Sequence, residues 1–231
     1  NMDKEYIATY KFGEETETLD PEGKIIAVAD IPDLETIKNK ISLFTGVIMQ
    51  MPPDFSAIHI NGKRAYKLAA SGEKPALTKR PVEILNYNIE KWDSPHLTVR
   101  VKCSKGTYIR SLARDLGIAC NSRAYVSALT RTEVGKWHVE DSVLPDIFDP
   151  EKNIISGKTL FKKINSIDIL TVSNIQAEMI LKGYSIKRWL GESSSLSDGY
   201  VSVFDEKDNF LALIENKSGK SIYKFVQDRR E

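Results

Sequence analysis

Cysteine is scarce in this sequence, with only Cys103 and Cys120 in 231 residues. They lie far apart and form no Cys-x-x-Cys pair, so neither a disulfide framework nor a cysteine-built metal site is expected. The three histidines, His59, His96 and His138, are scattered and give no metal-ligand spacing. No apolar run reaches the roughly 18 residues that a membrane helix needs. The opening stretch from Asn1 to Phe12 has no basic segment followed by an apolar one, so it does not read as a secretory signal. With no sign of secretion, both cysteines are expected to be free thiols in a reducing cytoplasm. Gly-x-Gly-x-x-Gly and His-Glu-x-x-His are absent. Gly157-Lys158-Thr159 and Gly219-Lys220-Ser221 lack the earlier glycine that a phosphate loop requires. Net charge is also nearly lacking, at +1.

What is present is ordinary globular material, 41% apolar and 28% charged, enough for a large domain or a core domain with an appendage. The charge is unevenly placed. Between Arg100 and Lys136, eight basic residues stand against two acidic ones, Asp115 and Glu133. Such clustering suits a phosphate-binding face and equally a solvated basic surface.

Alternation predicts strands at Lys4 to Phe12, Lys24 to Val28, Val82 to Lys91 and Leu97 to Cys103, the last two joined through Asp93-Ser94-Pro95. Asp33 reads as the N-cap of a helix carrying Leu34, Ile37, Ile41 and Phe44, which Gly46 ends. Helices are also expected at Lys63 to Ala70, Thr107 to Ile118 and Ala124 to Leu129, and a strand at Glu133 to Val139. A boundary falls within Asp141 to Asp168, where the one helical piece lies near Leu160. Beyond it come a helix from Ser173 to Lys182 and three strands, Gly199 to Phe204, Phe210 to Glu215 and Ser221 to Val226.

The segment Lys102-Cys-Ser-Lys-Gly-Thr-Tyr-Ile-Arg110 stands out chemically. A strand ends in a basic, glycine-containing turn and a helix opens, with Tyr108 in its first turn and Arg110 and Arg114 four residues apart on one face. A basic turn, an aromatic ring and an arginine suit the binding of an extruded nucleotide. They also suit a basic helix cap with Tyr108 in the core, and residue chemistry leaves both open.

The run Lys-Gly-Thr-Tyr-Ile-Arg-Ser-Leu-Ala-Arg-Asp-Leu-Gly, Lys105 to Gly117, resembles the signature of TruB-type tRNA pseudouridine synthases. Three further stretches are similar to family motifs, in the family's order: Lys4-Glu-Tyr-Ile-Ala-Thr with Gly13 and Thr16-Glu-Thr-Leu-Asp20, Gln50-Met-Pro-Pro through Tyr66, and Leu129-Thr-Arg-Thr-Glu-Val-Gly135. The tail from about Ile169 resembles, more weakly, a PUA-like domain.

The resemblance implies an α+β fold, a mixed and mostly antiparallel sheet with flanking helices plus a small C-terminal PUA-like β-barrel. The implied division is 1–150 synthase domain, 151–168 linker and 169–231 PUA-like RNA-binding domain. It implies a cytoplasmic monomer that acts on the T-arm of tRNA, converting the uridine at position 55 to pseudouridine without cofactor or metal. Tyr6 would stack on the target base and assist proton removal from C5, and Tyr108 and Leu129 would contact the nucleotide. Arg110 would fork onto a nucleophilic aspartate. Lys102, Lys105, Arg114 and Arg131 would meet the RNA backbone.

In the family that aspartate lies upstream of the Lys-Glu-Tyr motif, in a Gly-Thr-Leu-Asp-Pro type loop. Thr18-Leu-Asp-Pro21 aligns instead with the family's acidic hairpin, so Asp20 is expected to make a turn. The expectation is therefore a piece of a longer protein, inactive alone, whose Arg110 swings into water, takes a stray anion or finds a substitute carboxylate. The rival readings are a non-catalytic tRNA-binding or tRNA-folding module and a basic protein-binding domain.

Overall fold

A computed structural model describes residues 2–60, 62–155, 157–164, 166–191 and 196–227. It divides into two compact units, 1–141 and 142–231.

The first unit contains strands β1 (Lys4–Phe12), β2 (Glu14–Thr16) and β3 (Ile25–Val28), helix α1 (Leu34–Ile41), and strands β4 (Gly46–Gln50), β5 (His59–Ile60) and β6 (Lys63–Arg64). Helix α2 (Ala65–Ala70), strands β7 (Arg80–Asp93) and β8 (His96–Cys103), helix α3 (Ile109–Ala119) and strands β9 (Ala124–Val134) and β10 (Trp137–His138) complete it. Six strands form one antiparallel sheet in the order β10-β9-β1-β8-β7-β4, while β2 and β3 form a separate two-stranded arm.

Alternation decides which way the sheet faces. Ala8, Tyr10 and Phe12 of β1 are fully buried and pack with Leu97, Val99 and Val101 of β8 and with Ile109, Leu112 and Leu116 of α3. The other face carries ion pairs: Arg100 meets Glu5 at 2.9 Å and Glu90 at 2.6 Å, and Lys102 meets Glu133 at 3.1 Å. Helix α1 begins as its sequence predicts, with the Asp33 carboxylate accepting from Thr36 N–H at 2.7 Å.

The stretch Ala124 to Leu129, expected as a helix, is the first half of strand β9. Its Ala and Leu favour helix locally, but pairing with β1 over the length of the strand overrides that preference. The strand expected over Glu133 to Val139 is broken: β9 ends at Val134, Gly135 turns at φ 60°, and β10 ends at His138. Strand β4 went unread because it is short and half exposed.

The second unit holds helices α4 (Pro150–Asn153) and α5 (Gly157–Lys162), strand β11 (Ile167–Thr171), helices α6 (Asn174–Leu181) and α7 (Ile186–Leu190), and strands β12 (Gly199–Phe204), β13 (Phe210–Lys217) and β14 (Lys220–Val226). The strands form a sheet in that order, β11 running parallel to β12 and the rest antiparallel. Helix α6 opens with a reciprocal Ser173–Gln176 capping box. Among the described residues this is a four-stranded sheet with β11 and β14 at its edges.

Candidate nucleotide-binding site

Helix α3 has no side-chain cap at its start. Its opening is held instead by the last residue of β4 and the segment that follows it. Gln50 is buried; its Oε1 accepts from the Tyr108 N–H at 2.8 Å and its Nε2 donates to the Tyr108 C=O at 3.1 Å. The Met51 C=O accepts from Ser111 Oγ at 2.8 Å and from Arg114 Nη2 at 2.9 Å. Pro52 and Pro53 have no N–H to offer, so this strap presents carbonyls to the helix and its cations.

Arg110 points into the protein. Nη1 donates to the Asp20 carboxylate at 2.8 Å and to the Thr18 C=O at 2.9 Å, and Nη2 donates to the Phe55 C=O at 2.9 Å. The guanidinium thereby ties helix, strap and the loop after β2 together. Three of its N–H groups are committed here, and the others have no protein partner among the described residues. Asp20 does two jobs. Its Oδ1 makes the expected turn, accepting from Thr18 Oγ1 and from the Glu22 N–H at 3.2 Å, while Oδ2 is the carboxylate that Arg110 finds. Of the three fates expected for Arg110, the structure holds the substitute carboxylate.

Tyr6 and Leu129 come from the sheet. Tyr6 pairs with Val101 and Arg131, and Ala8 pairs with Leu129, so the pleat turns Tyr6, Leu129 and Arg131 toward the face on which α3 packs. Tyr6 packs against the core cluster that includes Ile109, and Leu129 is half exposed. Burial raises the Tyr6 phenol above its ordinary value, and a hydrogen bond with Arg131 opposes that rise by favouring the phenolate.

The basic residues do not form one free surface. Lys102 lies on the opposite face of the sheet, against Glu133. Arg114 is spent on Met51 and Asp115 and is only 17% exposed. Arg131 serves Tyr6. Lys105 is exposed in the turn before α3 and has no carboxylate partner among the described residues. Exposed cations that sequence reasoning passed over lie on β6 and α2: Lys63, Arg64 and Lys67, with Tyr66 exposed among them. The run Lys63-Arg64-Ala65-Tyr66-Lys67, three cations around one aromatic ring, was the available signal. A cleft of about 310 Å³ is lined in part by Leu19, Met51, Pro52, Lys74 and Arg114. None of Tyr6, Tyr108, Arg110 and Leu129 lines it. Among the described residues no cluster of His, Cys, Asp and Glu could hold a metal ion.

A family model described as TruB family pseudouridylate synthase (N terminal domain) matches residues 1–109. The tRNA pseudouridine synthase B of Francisella philomiragia is 39% identical, over 99% of this chain and 76% of that protein. The chain belongs to the TruB family. The namesake protein of Borreliella afzelii is 51% identical over 149 residues, covering 62% of this chain and 52% of its own. Thus the chain spans about half the length of the curated relatives it matches first. Among solved structures, a Cbf5-Nop10-Gar1 complex aligns with 98% of this chain and 67% of its own, at 18% identity and a TM-score of 0.57. An H/ACA RNP bound to a substrate RNA containing 2′-deoxyuridine gives a TM-score of 0.54 at 15% identity, over 98% of this chain and 65% of that one. These two likenesses establish that the TruB chain shares their fold.

Proposed function

We propose that this TruB chain is the part of a tRNA pseudouridine synthase that receives the flipped T-loop uridine at position 55. The observation that carries the reading is Arg110, turned inward at the start of a TruB signature helix with donors to spare. In the reaction the N1–C1′ bond of the uridine breaks, the base turns, a C5–C1′ bond forms, the C5 proton leaves and N1 gains one. Nothing is oxidised or reduced, so no redox cofactor is called for. Tyr6 stacks on the base and takes part in removing the C5 proton, with Arg131 favouring its phenolate. Tyr108 and Leu129 form the sides of the nucleotide site. Arg110 uses its remaining N–H groups to hold and ionise the nucleophilic carboxylate.

Asp20 is not proposed as that nucleophile, because both its oxygens are committed to the turn and to Arg110. The 231-residue chain is therefore expected to form no pseudouridine when incubated with an unmodified tRNA transcript. Turnover that Asp20→Ala abolishes would make Asp20 the nucleophile after all.

The chain alone should still bind tRNA, with the second unit read as a PUA-like RNA-binding domain. Affinity is expected to fall with rising salt, as each neutralised phosphate releases counterions. Lys105→Ala and Arg64→Ala should each reduce the slope of log K against log salt by about one. Lys102→Ala should leave the slope unchanged, because that ammonium already faces Glu133. A slope near zero for the parent chain, or equal loss in all three variants, would remove the basis for this surface.

A further inference from the structure

We propose that Gln50 is a positioning residue, one that fixes the Tyr108 peptide and with it the ring set against the flipped nucleotide; the inference rests on the isomerase reading above. Gln50 closes β4, a strand whose alternate residues Val47 and Met49 are exposed. Its own position faces inward and is 1% exposed, where alternation calls for an apolar side chain. A primary amide placed there needs both a donor and an acceptor opposite it. It finds them in one residue: the N–H and the C=O of Tyr108, at 2.8 and 3.1 Å.

That residue is the pivot of the site. Tyr108 has extended backbone, φ −103° and ψ 111°, and no capping side chain, and the helix proper begins at Ile109. Gly106 before it turns at φ 82°, and inside that turn Thr107 Oγ1 donates to the Ser104 C=O at 3.0 Å, a bond that stops one residue short of Tyr108. Gln50 is bonded to both sides of the Tyr108 residue, which restrains rotation about its φ and ψ. Ser111 and Arg114 donating to the Met51 carbonyl, and Arg110 donating to the Phe55 carbonyl, hold the same strap along the next turn. Gln50 touches no reacting atom; it acts through Tyr108.

Isosteres separate this role from core filling. Leucine fills the space with neither bond. Glutamate fills it and, ionised, can accept from the Tyr108 N–H but offers only an oxygen to the Tyr108 C=O. Protonated, it restores both bonds. The Tyr108 N–H, and the Arg114 and Arg110 guanidiniums bound to the Met51 and Phe55 carbonyls, favour the carboxylate. Burial at 1% exposure and the facing Tyr108 carbonyl favour the acid and are expected to prevail, so Gln50→Glu should be whole at about pH 5.5 and broken at about pH 8. The experiment compares the parent chain, Gln50→Leu and Gln50→Glu for amide exchange at Tyr108 and for affinity to a T-arm hairpin RNA. Gln50→Leu should speed Tyr108 exchange and weaken the hairpin by roughly tenfold at both pH values, the worth of one buried hydrogen bond. Gln50→Glu should match the parent at the lower pH and Gln50→Leu at the higher. Parent-like hairpin affinity in Gln50→Leu, or a Gln50→Glu profile parallel to the parent's, would reduce Gln50 to a space-filler. If Gln50→Leu does not fold, the pH profile of Gln50→Glu, with folding followed by circular dichroism, still decides. A parent chain that binds the hairpin no better than a loopless duplex would sink the RNA reading itself, and the exchange comparison would show separately whether the clamp exists.

Discussion

Replacing Arg110 by methionine should destabilise the first unit by about 2–3 kcal/mol. Removing one partner of a buried ion pair typically costs roughly 3–5 kcal/mol, because the other charge is left buried and alone. Arg110 and Asp20 are each 26% exposed, so water can recover part of the loss at Asp20 and the lower figure applies. The Thr18 and Phe55 carbonyls also lose their donor, each a hydrogen bond from a charged group. Asp20→Asn removes less. Arg110 then keeps its two carbonyls, and the asparagine oxygen can still accept in the turn, so about 1 kcal/mol is expected. The two changes meet in one contact and should not add: the double variant should fall short of the sum by about 1–2 kcal/mol. Urea denaturation of the four chains, followed by tryptophan fluorescence, measures this. Additive losses would mean that the pair contributes nothing of its own. A loss below about 0.5 kcal/mol for Arg110→Met would mean that the guanidinium is free in solution. RNA should suffer more than stability suggests, since Arg110 joins the strap and the β2–β3 loop to the helix that opens at Tyr108.

The residues that could be read from the sequence are those whose chemistry acts locally. Asp33 caps its helix because a carboxylate three residues before a free N–H needs nothing from the rest of the fold. Tyr6, Ala8, Tyr10 and Phe12 share a face because the strand period alone demands it. Arg110 could be singled out as an arginine near a helix start, but its partner could not. Asp20 is ninety residues away in the chain, and its local signature, Thr-Leu-Asp-Pro, spells a turn. The turn is there, yet only the packing of the β2–β3 loop on α3 shows that the second carboxylate oxygen remains for Arg110. The basic stretch misled in the opposite direction. Charges adjacent in sequence separate onto two faces of a sheet, and Arg100, Lys102 and Arg123 are paired with Glu5 or Glu90, Glu133 and Glu15. A census along the chain counts all of them as free. Gln50 was legible only as part of a motif, because its role requires knowing that β4 ends against Tyr108.

Gly117→Ala tests the same long-range logic with the opposite sign from local propensity. Gly117 lies inside α3, and in an isolated helix alanine there would be favoured by roughly 1 kcal/mol. In the fold, the added Cβ would stand 2.7 Å from the Ala124 N and 2.8 Å from the Arg123 carbonyl carbon. Both are backbone atoms, so no rotamer change relieves the contact. Either α3 or the start of β9 must move. The Gly117 carbonyl already accepts from Ser122 N–H at 2.8 Å and Cys120 N–H at 3.1 Å, which holds the turn between helix and strand closed. Overpacking of this kind costs about 1–3 kcal/mol, and a backbone clash belongs at the upper end. A net loss of about 2–3 kcal/mol is expected, which lowers Tm by roughly 4–12 °C in a chain of this size. The displacement should also reach β9, whose later residues Leu129 and Arg131 face the site, so hairpin RNA affinity should fall with stability. Thermal denaturation gives the sign directly. A Gly117→Ala chain more stable than its parent would mean that helix propensity governs this position and that α3 does not press on β9 as closely as the structure has it.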